Sequence, residues 1–384
     1  MAATAIDRDE TPTGLAPLRV AHGAKAPVPA DAGVPAIGSL SLRKVAVLAG
    51  ASALLVVGAV VLAPAIADLP DVWQRLAHGD MSWLGLALVL EALSFVGHII
   101  LFRAVSLDAR GRIGMRASTE ITLAGHMATR LFAAGGAGGI ALTAWAMRKA
   151  GMDRRDVAAR MTTFLVLLYF VYMAALVVGG LGLWSGVIPG GGSFAITVVP
   201  AIFGAVVVAV VASAQFVRPG ASRLRRWLSP VGDGVREARR LVGSGNLGLV
   251  GAIVWWGFDI AVLWACFHAF GESPAVGVLI VAYFVGTLAN LLPLPGGVGG
   301  VDGGMVGALV AFGTDPGLAI VAVLAYRFFA FWLPIGPGAV AFASLRRTVA
   351  KWEREDAGEV LPVAPPRPRQ EPRRRAAEPC YCTK

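Results

Sequence analysis

The sequence predicts an all-α polytopic membrane protein with six full spans and two re-entrant helical hairpins arranged as an inverted repeat. Composition is the first ground. Hydrophobic residues make up 56% of the chain and charged residues 15%, against roughly 25% charged in soluble domains, and the mean hydropathy is +0.68. The second ground is a matched pair of glycine stretches inside apolar segments, Gly135-Gly136-Ala137-Gly138-Gly139 and Gly296-Gly297-Val298-Gly299-Gly300. Their flanks align: Gly125 with Gly286, Thr129 with Asn290 and, after a one-residue shift, Gly151 with Gly313 and Asp153 with Asp315. Interrupted apolar elements at matching positions of two halves mark a duplicated carrier and point to its binding site near the bilayer midplane. The third ground is where the arginines fall.

In chain order, residues 1–40 are rich in Ala, Pro and Gly without apolar period and read as a disordered arm. Their length excludes a secretory signal, so the first apolar run is an uncleaved anchor. The integral domain covers 41–345, with repeats at about 45–184 and 194–345. Six runs reach the roughly 20 residues that a spanning helix needs: 45–66, 83–106, 162–184, 194–217, 247–270 and 318–345. Two further segments, 118–147 and 274–313, carry the glycine stretches and are broken in the middle. Residues 346–384 read as a cytoplasmic Pro/Arg-rich tail.

Positive charge sets orientation. Arg43 and Lys44 place the N-terminus in the cytoplasm. Arg110, Arg112 and Arg116 precede the first broken segment, and Arg148, Lys149, Arg154 and Arg155 follow it. With both flanks inside, that segment enters and leaves on one face. The uncharged 185–193 loop is outside, and the arginines of 218–240 are inside. The second broken segment runs between Gly271-Glu272-Ser273 and Thr314-Asp315-Pro316, without positive charge, and returns to the opposite face. Arg346, Arg347 and Lys351 close the last span inside. The segment 274–291 is apolar enough to span by itself, an alternative that shifts the parity of everything after it.

Backbone in hydrocarbon must satisfy its own hydrogen bonds. Glycine breaks beside Pro293 and Pro295 are tolerated only when buried in protein or lining a wet cavity, and the ends of the adjoining half-helices favour anions. The competing reading is that the glycines only allow close helix packing. Ionisable residues in apolar segments are costly and mark function: Glu91, His98, Glu120, His126, Arg130, Asp259, Asp302 and Arg327. The candidate substrate site therefore comprises Arg130, Asp302, Arg327, Gly136, Gly138, Asn290, Gly296, Gly297, Gly299, Glu91 and Asp259. If the hairpin tips meet, Arg130 and Arg327 hold a lipid phosphate, with Asp302 as counter-charge or proton carrier. The competing reading is a structural ion pair between repeats. His98 and His126 read as satisfied helix histidines, and Arg103 as a snorkelling side chain. Trp73, Trp83, Trp184 and Trp352 read as interfacial.

No P-loop, metal-ligand spacing or Ser/His/Asp arrangement is present, so no cofactor, metal or catalytic residue is expected. Gly136-x-Gly138-x-x-Ala141 lacks the strand and acidic residue of a dinucleotide fingerprint. The net charge of +10 reads as orientation and as attraction of anionic headgroups to loop 218–240, not as nucleic-acid binding. The three cysteines imply reduced thiols, not a disulfide framework.

The segment Leu291-Leu292-Pro293-Leu294-Pro295-Gly296-Gly297-Val298-Gly299-Gly300-Val301-Asp302, followed by Ala325-Tyr326-Arg327 and Phe331-Trp332-Leu333-Pro334, resembles the transmembrane region of lysylphosphatidylglycerol synthases and its stand-alone flippase-like relatives. The resemblance covers about 45–345. This chain has Asp302 where the family usually has Glu, and 131–139 lacks the family's Pro and acidic residue. The resemblance implies lipid translocation without the aminoacyl-transfer domain, for which the chain leaves no room. The expected function is a plasma-membrane carrier, both termini cytoplasmic, for an anionic or amino-modified phospholipid or an isoprenoid-linked intermediate. One alternative is an accessory protein that binds a lipid-linked intermediate for a partner glycosyltransferase or lipid-modifying enzyme. Another is an intramembrane headgroup transferase.

Overall fold

The computed structural model describes residues 74–75, 77–106, 111–131, 137–216, 223–246, 248–291 and 299–358. The N-terminal arm, the first expected span at 45–66, Trp73, most of the C-terminal tail, and Gly136, Gly296 and Gly297 lie outside them, as does the side chain of Asn290. Among the described residues the chain is helical and has no strand. The α-helices are α1 (Met81–Val105), α2 (Met115–Leu131), α3 (Ala137–Lys149), α4 (Arg154–Trp184), α5 (Phe194–Ser213), α6 (Arg223–Gly243), α7 (Gly248–Phe270), α8 (Val276–Thr287), α9 (Gly300–Ala311), α10 (Pro316–Arg327) and α11 (Ile335–Asp356).

Among the described residues five stretches are long and apolar enough to cross a membrane: α1, α4, α5 with its terminal 3₁₀ turn, α7, and the continuous α10–α11 rod of 41 residues. They correspond to the second to sixth spans expected from sequence. Val199, Ile202, Val206 and Val210 are exposed along α5. Such a ridge suits lipid and is a liability in water.

Local chemistry explains the boundaries. Asp80 caps α1 by accepting the Ser82 N–H at 2.9 Å, and Asp315 caps α10 by accepting the Leu318 N–H at 2.8 Å, with Pro316 in the first turn. Helices α3 and α9 end in the same way. Gly151 (φ 96°) and Gly313 (φ 91°) adopt the left-handed conformation. The Met152 N–H then reaches the Met147 carbonyl at 3.2 Å, and the Thr314 N–H reaches that of Leu309 at 3.0 Å. These are two Schellman turns at the positions aligned in sequence.

Helix α1 packs along α7 over its full length, antiparallel. The Asp80 N–H meets the Ala269 carbonyl at one end, and Ala104 lies against Gly248 at the other. Their closest approach is at Gly97 and Gly251. A methyl group on Gly251 would lie 2.6 Å from the Leu101 nitrogen and 2.7 Å from the Gly97 oxygen. The broken segments are two antiparallel pairs. In α2–α3, a Cβ on Gly139 would meet Thr129 Oγ1 at 2.1 Å and the Gly125 oxygen at 2.6 Å; in α8–α9, a Cβ on Gly286 would meet the Met305 nitrogen at 2.7 Å. Helix α8 has 12 residues, about 18 Å at 1.5 Å per residue, and doubles back onto α9.

Polar contacts tie each pair to the rest. Tyr172 on α4 donates to the Phe284 carbonyl on α8 at 2.6 Å. Glu120 on α2 accepts Ser344 and Thr348 from α11 at 2.6 and 2.7 Å, and Arg116 at 2.9 Å. Glu120 is thus a staple between helices. Between α10 and α11, Phe328–Trp332 forms a π-turn, closed by the Leu333 N–H on the Phe328 carbonyl at 2.9 Å. Pro334 has no N–H for the α-type bond to the Ala330 carbonyl, which favours the wider turn.

Three expectations are corrected. Residues 218–240, read as a loop, are largely helix: Val235 and Ala238 are buried while Arg236 and Arg240 pair with Asp233 and Glu237. The arginine density hid an amphipathic period. Trp352 is buried, not interfacial. Arg103 does not snorkel freely, since its Nη1 is buried without a hydrogen bond.

We expect Gly251→Ala to lower stability by about 1–3 kcal/mol by overpacking. Gly257→Ala, on the same helix with nothing within 4 Å of the added methyl, should be neutral or stabilising by up to about 1 kcal/mol. Thermal unfolding in detergent tests both; equal effects would show that α1 and α7 are not closely packed.

Candidate functional site

The α1–α7 crossing fixes the first part of the site. Glu91, Ser94, Phe95 and His98 recur at i, i+3, i+4 and i+7 on one face of α1, and Trp255 and Asp259 lie one turn apart on α7. Ser94 donates to the Trp255 carbonyl at 3.1 Å. Glu91 and Asp259 are 3% and 7% exposed and are electrostatic neighbours. Asp259 Oδ2 also accepts the hydroxyls of Tyr283 from α8 and of Tyr326 from α10, the latter at 3.1 Å.

Two arginines complete it. Arg130 and Arg327 stand at the C-terminal ends of α2 and α10, where the helix dipole favours cations. Both guanidinium groups lie over the ring of Phe331, at 5.1 and 4.9 Å from its centre. The π-turn presents that ring. Arg327 forms an ion pair with Asp302. Arg130 has Glu91, Asp259, Tyr326 and Arg327 as its electrostatic neighbours.

Arg130, Asp259, Tyr283, Tyr326, Arg327 and Phe331 border a cavity of about 1250 Å³, larger than the roughly 300–1,000 Å³ of small-molecule sites. Its wall on α1, α2, α7, α8 and α10 is polar: His98, His126, Thr129, Arg130, Asp259, Tyr283, Tyr326 and Arg327. Its wall on α4, α5 and α6 is mainly apolar, including Leu165, Phe170, Phe203, Val207, Val211, Val235 and Ala238. Gln215 and Arg239, hydrogen-bonded to each other, border the same space. Trp255 Nε1 and Thr122 Oγ1 are buried on the lining without a hydrogen-bond partner. Buried polar atoms are ordinarily satisfied, so these two are available to a bound polar group. Such a space accepts a molecule with a small anionic head and an apolar body. Among the described residues no three His, Cys, Asp or Glu side chains converge as a metal site.

The structure gathers Arg130, Arg327, Glu91 and Asp259. Asp302 stands at the start of α9 beside Arg327. It accepts the Gly299 N–H at 2.9 Å, capping the start of α9, and pairs with Arg327. The carboxyls acting on Arg130 are Glu91 and Asp259 instead. The amino end of α9 is thereby partly capped by its own side chain, not left open to an anion. Gly299 has φ 80°, which requires glycine there. Gly138 is buried at the start of α3, where its neighbour Gly139 permits the close approach of α2.

Sequence reading missed Tyr283, Tyr326, Phe331 and the His98–His126 pair. The two imidazoles face each other at 3.3 Å, and Trp255 packs against both at 4.4 and 4.7 Å. The signal was available for the histidines: His98 is two turns from Glu91, and His126 one turn from Arg130. The tyrosines offered none, because their partner lies on another helix.

Replacing both Tyr283 and Tyr326 by Phe should destabilise the protein by about 2–4 kcal/mol, since a buried carboxyl loses both hydroxyl donors. Unfolding in detergent measures it; a loss no larger than either single replacement would mean that the hydroxyls do not act jointly on Asp259.

Comparison with known proteins agrees with this architecture. The family model for the lysylphosphatidylglycerol synthase TM region matches residues 45–338. A UPF0104 membrane protein of Methanothermobacter thermautotrophicus is 25% identical over 329 residues, covering 78% of this chain and 96% of the relative. A second UPF0104 membrane protein match from that organism is 36% identical over 87 residues, 22% of this chain and 25% of the relative. With the membrane-length helices and the extent of that match, the chain is a membrane protein that belongs to the lysylphosphatidylglycerol synthase TM region family.

Proposed function

We propose that the protein is a lipid carrier that moves an anionic or amino-modified phospholipid, or an anionic lipid-linked intermediate, between the leaflets of the plasma membrane. The observation that carries this reading is the pair of guanidinium groups on one aromatic ring beside an amphipathic cavity. Two like charges in a low-dielectric interior repel. A phosphate between them relieves that repulsion and accepts forked, charge-assisted hydrogen bonds. Trp255 Nε1 and Thr122 supply further polar contacts, and acyl or isoprenoid chains lie along α4 and α5. The family, that of the lysylphosphatidylglycerol synthase TM region, favours a lipid of this class.

The helix order supports alternating access. A long helix, a hairpin and a second long rod occur as α1, α2–α3, α4 and again as α7, α8–α9, α10–α11. The antiparallel α1–α7 crossing relates the halves as an inverted repeat would. In this reading the hairpins are re-entrant from opposite faces, α6 and both termini are cytoplasmic, and the arginines of α6 hold anionic headgroups. Rocking of one half against the other exposes the cavity to each face in turn.

The test is leaflet-resolved movement of fluorescent phosphatidylglycerol in proteoliposomes. Wild type should accelerate it, and Arg130→Ala and Arg327→Ala should each slow it about tenfold or more, the loss of one charge-assisted contact. Full activity in both variants, with the proteins folded, would remove the anion site from the mechanism.

A further inference from the structure

One stripe of α5 ends in a polar pair. Phe203, Val207, Val211 and Gln215 recur every four residues on one face, Gln215 in the terminal 3₁₀ turn, and all four border the cavity. The stripe is roughly 18 Å long at 1.5 Å per residue, comparable with the ~15 Å of hydrocarbon in one leaflet. At its polar end Gln215 Oε1 accepts a hydrogen bond from Arg239 Nη1 of α6. The cavity is an open cleft, and Arg239 stands exposed on its border.

Arg239 differs from its neighbours on α6. Arg236 pairs with Asp233 at 2.5 Å and Arg240 with Glu237 at 2.9 Å, and neither borders the cavity. Arg239 does border it, and among the described residues it forms no ion pair; its side-chain partner is a neutral amide. A phosphate is a stronger acceptor for a guanidinium than an amide oxygen is, because the acceptor is charged. The same cavity continues past Val242 and Gly243 and then follows α7 from Leu249 to Asp259, roughly 15 Å of helix. Tyr326 reaches Asp259 there, and Arg327 and Arg130 follow on the ring of Phe331.

Resting on the carrier reading, we propose that Arg239 is the capture residue through which an anionic lipid of the leaflet on the α6 side enters the cavity. The lipid phosphate takes the place of Gln215 on the guanidinium, and one chain lies along Phe203, Val207 and Val211. The phosphate then passes to Arg130 and Arg327, and Arg239 returns to Gln215. The occupant is a lipid and not a free phosphate ester, since the stripe offers a soluble ester no polar partner beyond its end.

The test is the dependence of phosphatidylglycerol movement on its mole fraction in phosphatidylcholine proteoliposomes that hold the full-length protein. Arg239→Ala should raise the fraction needed for the half-maximal rate about tenfold, the loss of one charge-assisted contact, and lower the maximal rate far less. Arg239→Lys should restore most of that loss, because it keeps the charge. Gln215→Ala removes the competing acceptor and should lower the fraction about twofold. An excess of the soluble headgroup glycerophosphoglycerol should not inhibit. An unaltered half-maximal fraction in Arg239→Ala, or a loss confined to its maximal rate, overturns capture and leaves the carrier standing. A raised or unaltered fraction in Gln215→Ala overturns the exchange of acceptors, and inhibition by the soluble ester overturns entry along the α5 stripe. Absence of movement by wild type removes the carrier reading and capture with it.

Discussion

The close crossing of α1 and α7 is the constraint on which the rest of the site depends. With no side chain at Gly97 or Gly251, the two backbones approach to distances that a single methyl group forbids. That approach brings Glu91 to Asp259 and aligns His98 with Trp255. It also leaves α2, α8 and α10 to supply Arg130, Tyr283 and Tyr326 from the flanks. Van der Waals contact between small residues is the main force available for this, since apolar side chains gain nothing by leaving lipid for protein.

The charged residues follow from that frame. A lone guanidinium in hydrocarbon is costly, and Arg130 is retained by an arrangement of partial compensations: a helix C-terminus, an aromatic face and two carboxyls nearby. Among the described residues none of these forms with it an ion pair of the kind that joins Asp302 to Arg327. The two arginines therefore differ in kind. One is held in place, and the other is held in readiness.

Much of this was legible in the sequence, and the illegible part has a physical cause. Span-length apolar runs and left-handed glycines such as Gly151 and Gly313 are local properties, so the long helices and the repeated turns could be read directly. Buried charge is also local, so Arg130, Arg327, Glu91 and Asp259 stood out. Pairing is not local. Asp302 reads only as a counter-charge or proton carrier until the backbone shows that it also accepts the Gly299 N–H three residues back. Tyr283 and Tyr326 read as core aromatics until Asp259 is placed between them. Helix α6 was hidden because its arginine density obscures apolar positions such as Val235 and Ala238.

The π-turn at Phe328–Trp332 has a further consequence, for the length of the chain. A π-turn holds one residue more than an α-turn. The extra residue is taken up inside the turn, so the helix beyond keeps the phase that sets Ser344 and Thr348 against Glu120. Removing one residue between Phe328 and Leu333 would convert their contact into an ordinary α-type bond and leave α11 on α2. The segment between Arg327 and Pro334 is thus a place where the chain can lose one residue without moving the helix pair beyond it, at the cost of displacing the Phe331 ring.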